Sequence, residues 1–156
     1  MNGRAEVARL QKRLDATFSR APAPSADPEV QADFAKYLCV LVSGFFESAI
    51  VALLFKYVGS RSSPEIMNFV ERELKNWTNP NSEKVLKLFG AFSAHWRQQI
   101  ELYVVDERKD GINGLVALRH KIAHGESVGT SMSQVKEHYK NVAKVVDFLA
   151  DLTDPK

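Results

Sequence analysis

Leu38–Phe55, LCVLVSGFFESAIVALLF, is the stretch whose reading decides the fold. Its 18 residues carry one charge, Glu47, and that length lies near the lower limit for a helix crossing a bilayer. A carboxylate in the middle of a span costs roughly 2.5–3.5 kcal/mol on insertion scales. The rest of the chain is amphipathic, so the segment reads as a central helix packed against neighbours on nearly all sides.

Working outward, helical signals run through almost the whole chain. Residues 4–19 place Val7, Leu10, Leu14 and Phe18 three and four apart, a single apolar stripe on a charged helix. Ala21 to Pro28, with Pro22, Pro24 and Pro28, is an extended break. Asp27 caps and Pro28 opens the long helix, which runs to about Tyr57 and stops at Gly59. Ser62 lies three residues before Glu65, the spacing of a capping box, and the helix it starts ends before Asn79-Pro80. Ser82-Glu83 starts another helix, with an interruption expected at Gly90 and a continuation around His95 to Val104. A further helix is expected to begin at Asp110 or Gly111 and end at Gly125. Ser131, with Gln134 three later, caps a last helix to about Asp151. With no strand, repeat or low-complexity tract to read, the expected fold is an all-α, compact up-and-down bundle of about five to seven helices.

Composition narrows the function. A chain of 156 residues is one domain of ordinary size, able to bury a core without staples. A net charge of +2 is too small for a global attraction to nucleic acid, so any RNA contact must be local. The single cysteine, Cys39, excludes an internal disulfide and a multi-cysteine zinc site, and its apolar setting suits an inert buried thiol. The first residues, MNGRAEVARLQKRL, lack the apolar core and cleavage site of a signal peptide, so the expected location is cytoplasmic, away from the membrane. There is no P-loop, no G-x-G-x-x-G, no nucleophile elbow and no pair of carboxylates at catalytic spacing.

What remains is Leu118–Gly125, LRHKIAHG. In helical projection Ile112, Leu115, Val116, Ile122 and Ala123 form an apolar stripe with Arg119 in its middle. An arginine there needs a partner, because an unpaired buried charge is expensive. Glu47 has the same problem on the long helix, so the two are expected close together, within one chain or across a dimer seam. That pair alone would be a structural bridge without chemistry. Arginine also binds phosphate through a planar fork, and histidine moves protons near neutral pH, so Arg119 with His124 suits RNA cleavage. The two lie about 140° apart around an ideal helix, so convergence needs a long reach, unwinding at Gly125 or a second subunit. A plainer reading has His124 bonded to a free carbonyl and favoured by the helix dipole. His120 and His124 share a face at i and i+4, but zinc needs a third ligand, and no H-E-x-x-H or cysteine cluster supplies one. No metal and no cofactor is expected. Lys136, Lys140 and Lys144 recur along one face of the last helix, either a ridge for RNA or a solvated face, and Trp77 and Trp96 read as core.

Arg119-His120-Lys121-Ile122-Ala123-His124 matches the R-x4-H signature of the HEPN superfamily, including its preference for Asn, Asp or His directly after the arginine. The position before a glycine-terminated turn and one last long helix also matches, and Glu47 on an earlier long helix resembles the family's acidic core position. The chain looks most like the RiboL-PSP-type domains over Ala32 to Leu152. The resulting division has an N-terminal helix and Pro-rich linker at 1–28 and the HEPN-like domain at 29–153. The resemblance implies a bundle that dimerises so that two motif helices face each other across a cleft, forming one composite, metal-independent endoribonuclease site. In it, two His124 copies act as acid and base, Arg119 holds phosphate, and His120 and Lys121 orient or bind the RNA backbone. It implies a homodimer acting on RNA, as a toxin or defence effector, with a cognate antitoxin or regulatory protein as a further partner. The alternative is a non-catalytic helical domain for dimerisation or for binding a partner or RNA.

Overall fold

A computed structural model describes residues 3–126 and 128–156. Seven helices are present among them: α1 (Gly3–Phe18), α2 (Pro28–Gly59), α3 (Pro64–Leu74), α4 (Ser82–Phe92), α5 (Ala94–Tyr103), α6 (Asp106–Ala123) and α7 (Met132–Thr153). No strand occurs among the described residues, and the fold is the expected all-α bundle.

The long apolar stretch became the axis of that bundle. α2 is long and apolar enough to cross a membrane by length and composition, yet α1, α3, α6 and α7 all pack around it. Leu38, Cys39, Val42, Phe46, Ala49, Ile50 and Leu54 along it are fully buried. Burial at this density, at roughly 25 cal/mol per Å² of apolar surface, is the main favourable term holding the helices together. Asp27 caps α2 by accepting from the Glu29 N–H at 2.8 Å, with Pro28 at the first helical position.

α1 runs antiparallel to α2, and at Gly3 the helices approach so closely that a Cβ would lie 3.0 Å from that of Lys56. The start of α1 is tied to the end of α7 by Arg4, which donates to the Ala150 carbonyl at 3.1 Å and the Asp154 carbonyl at 2.6 Å and pairs with Asp151. The end of α1 is tied to the start of α7 by Phe18 stacked on Tyr139, whose hydroxyl donates to Asp15 at 2.5 Å.

α6 and α7 are antiparallel and meet through glycines. Asn141 lies over Gly111 and His138 over Gly114, where added Cβ atoms would come within 3.0 and 3.2 Å of these side chains. These two contacts, one turn apart, set the height at which α6 presents its C-terminal end.

Three boundaries differ from expectation. α3 is capped by Ser63, whose Oγ accepts from Ile66 N–H, while Ser62 donates instead to the Val58 carbonyl at 2.7 Å. The break between α4 and α5 falls at Ser93, in extended backbone, with its Oγ accepting from Trp96 N–H. Gly90 stays inside α4, where it makes room for Arg97. α6 begins at Asp106, a turn before Asp110, because its cap, Val105, offers no side-chain bond that the sequence could advertise. Arg108 secures this start by donating from Nε to the Tyr103 carbonyl at 2.7 Å and lying over the Tyr103 ring.

Candidate active site at the end of α6

The apolar stripe of α6 is real in its first half and thins toward the end. Ile112, Leu115 and Val116 are buried, Leu118, Arg119 and Ile122 are half-buried, and His120, Lys121, Ala123 and His124 are exposed. The helix stays wound through Ala123, and His124 is its cap residue. Gly125 follows at φ +71, donating to the Ile122 carbonyl at 3.1 Å while Glu126 N–H reaches back to the Lys121 carbonyl at 3.0 Å. This is a Schellman closure, and a Cβ at that φ would be strained, which is why glycine ends the motif.

Arg119 finds its partner in the loop between α3 and α4. Its Nη1 donates to Oδ1 of Asn79 at 2.6 Å. Asn79 sits at φ +55, a left-handed conformation that asparagine tolerates better than most residues. The loop is fixed around it: Asn81 N–H donates to the Asn79 carbonyl at 2.8 Å, and Lys84 Nζ donates to the Thr78 carbonyl. α6 itself holds the next residues, with Asn113 accepting from Ser82 N–H at 2.9 Å and donating to Ser82 Oγ at 3.1 Å.

Glu47 does not join this group. It lies on the wall of a large open cleft between α1, α2 and α3, with Glu6, Arg9, Glu71 and Trp77, and pairs with no cation among the described residues. The expected contact with Arg119 is therefore corrected for a single chain. Glu47 points to the side of α2 away from its core face, and a half-exposed carboxylate there is solvated without a partner.

The two histidines do share a face, with ring centroids 4.3 Å apart at 59°. No hydrogen bond joins Arg119 to His124, and the His124 imidazole has no hydrogen-bond partner among the described residues. No three His, Cys, Asp or Glu side chains gather into a metal site among the described residues. The end of α6 thus offers a fixed guanidinium and two imidazoles to solvent.

A family model described as RiboL-PSP-HEPN matches residues 5–154. The chain belongs to the RiboL-PSP-HEPN family. The HEPN match takes in α1 and the proline segment as well as the helices from α2 onward. No significant match was found among curated proteins or among solved structures. Sequence reasoning found the HEPN motif but missed Asn79 and Asn113. The Asn79-Pro80 dipeptide gave a turn signal, with nothing to show that its amide would meet Arg119.

Proposed function

We propose that the protein is a metal-independent endoribonuclease of HEPN type, working as a homodimer with one composite site built from two R-x4-H motifs. The observation that carries this reading is the presentation of Arg119. Asn79 takes one donor of its fork and fixes its direction, leaving the others for a phosphate. His124 stands exposed five residues further on, with its imidazole unengaged among the described residues.

The chemistry follows from these groups. A base removes the proton from a 2′-hydroxyl, whose oxygen attacks the adjacent phosphorus. An acid then protonates the departing 5′-oxygen, and a cation stabilises the charged phosphorane. One chain holds a single His124, so a second copy supplies the other, with His120 and Lys121 binding or orienting the backbone. Val30, Tyr37 and Val40 stand exposed on α2 and give a second copy apolar surface to cover. The proposed setting is cytoplasmic, as a toxin or defence effector silenced by a cognate antitoxin or regulatory protein.

One observation favours a second reading. The Arg119–Asn79 bond also braces the α3–α4 loop, so the motif could serve only as a strut in a non-catalytic, partner- or RNA-binding domain. Incubating purified protein with mixed RNA, with and without EDTA and beside His124→Ala, separates the two. Cleavage that survives EDTA and disappears in His124→Ala supports the enzyme; a folded, inert wild type supports the strut.

A further inference from the structure

Beside Arg119 lies an open groove of about 440 Å³, walled by the α3–α4 loop, the first turn of α4 and one side of α6. Its apolar strip is Val116 and Ala117, His120 stands at its edge, and the remaining lining is polar. The orientation of its amides is settled by their partners. Oδ1 of Asn79 accepts from the Arg119 guanidinium, Oδ1 of Asn81 from Lys84 N–H, and Oδ1 of Asn113 from Ser82 N–H. Each of these partners can only donate, so the atom facing it must be oxygen. The NH2 groups of Asn79 and Asn81, two of the residues that line the groove, therefore remain as donors without a partner among the described residues. Glu83, also in the lining, is exposed and pairs with no cation among the described residues, leaving two carboxylate acceptors.

We propose that this groove is a nucleobase subsite selective for guanine, resting on the ribonuclease reading for its place beside the scissile phosphate. Guanine alone among the RNA bases has two adjacent donors, N1–H and N2–H2, that a carboxylate can take as a pair. It also has O6 and N7 as acceptors for amide donors. Adenine and cytosine put a ring acceptor next to their amine, and uracil flanks one N–H with two carbonyls, so each sets a lone pair against Glu83. The base lies along Val116 and Ala117 and meets the His120 ring, as unstacked RNA bases do on aromatic side chains. Because Asn79 touches both the groove and Arg119, the recognised base belongs to a nucleotide at or next to the phosphate that Arg119 binds.

The test titrates the full-length protein with the 5′-monophosphates of guanosine, adenosine, cytidine and uridine, followed by NMR. The guanosine nucleotide is expected to bind roughly 5- to 150-fold more tightly than the others, the range of one bidentate base contact. Glu83→Gln should erase this preference. Asn81→Asp should erase it as well, because aspartate keeps the helix cap while replacing the amide donor with an acceptor. Equal binding of all four nucleotides, or a preference that survives in both folded variants, overturns the subsite. Mapping cleavage ends on random-sequence RNA separates the two proposals. His124-dependent cleavage without a fixed guanine sinks the subsite and leaves the enzyme standing. Selective guanosine binding without any cleavage sinks the enzyme and leaves the subsite.

Discussion

Arg119 and Asn79, 40 residues apart in sequence, are joined by a 2.6 Å hydrogen bond that fixes the direction of the one guanidinium in the R-x4-H motif. A bond to a charged group typically contributes about 1.5–3 kcal/mol, and this one also holds a left-handed residue in place. Asn79→Gly removes the bond and relieves the φ +55 backbone, whereas Asn79→Ala removes the bond and makes the backbone worse. Urea denaturation should find Asn79→Ala less stable than Asn79→Gly by about 1 kcal/mol. In the double-mutant cycle, Arg119→Ala should cost little further in an Asn79→Gly background. Additive losses would mean that the bond contributes nothing.

The glycines of the bundle separate into two kinds, and substitution should tell them apart. At Gly111 a Cβ would press within 3.0 Å of the Asn141 Cβ, in a buried seam. Overpacking of that kind costs typically about 1–3 kcal/mol, more than the alanine gains in helix propensity. Gly44 on α2 has nothing within 4 Å, so Gly44→Ala should stabilise the fold by about 0.5–1 kcal/mol. Thermal unfolding of the two variants should move in opposite directions. A Gly111→Ala protein as stable as wild type would show that α6 can shift on α7.

His138 makes the fold sensitive to acid. Its Nε2 is buried without a hydrogen-bond partner among the described residues, and burial holds its pKa below the usual value, with Glu137 opposing the shift only in part. The unfolded chain therefore binds this proton more readily than the folded one. The resulting stability is fully present above the unfolded value near 6.5 and is lost as pH falls from there through the folded value. Tm should drop as pH falls below about 6.5, and His138→Gln should flatten that part of the profile. An unchanged slope in the variant would assign the effect to other groups.

Much of this fold was legible because its punctuation is local. Asp27-Pro28, Ser131 with Gln134, and Gly125 each act on the backbone within a few residues, and each appears where the sequence placed it. The start of α6 was not legible, since Val105 caps without a side-chain bond. Ser62 and Ser63 compete for the same role, and only packing chooses between them. The site was legible in its motif alone. Arg119's need for a partner could be read from the apolar stripe, but a charge in an apolar run does not say which way it points. Glu47 is the one charge in its apolar stretch, which makes it the natural partner to expect, but it faces another cleft. Asn79, neutral and in a turn, carries no periodicity by which to find it.

The proposed composite site makes a prediction that does not depend on seeing a dimer. A single chain presents one His124, and acid and base must both act in each turnover. His124→Ala should therefore lower cleavage by about 100- to 10,000-fold while leaving the circular dichroism of the helices intact. Added in excess to wild type and allowed to exchange subunits, it should also suppress the wild-type chains, because mixed dimers hold only one of the two imidazoles. Arg119→Ala should be inactive for a different reason, the loss of charge stabilisation at the phosphorane. The products should carry 2′,3′-cyclic phosphate, and a substrate with 2′-deoxyribose at the scissile position should resist, since the internal nucleophile is gone. Unchanged activity per wild-type chain across the mixing series would show that each protomer works alone, and that the second proton-transfer group must be sought within one chain.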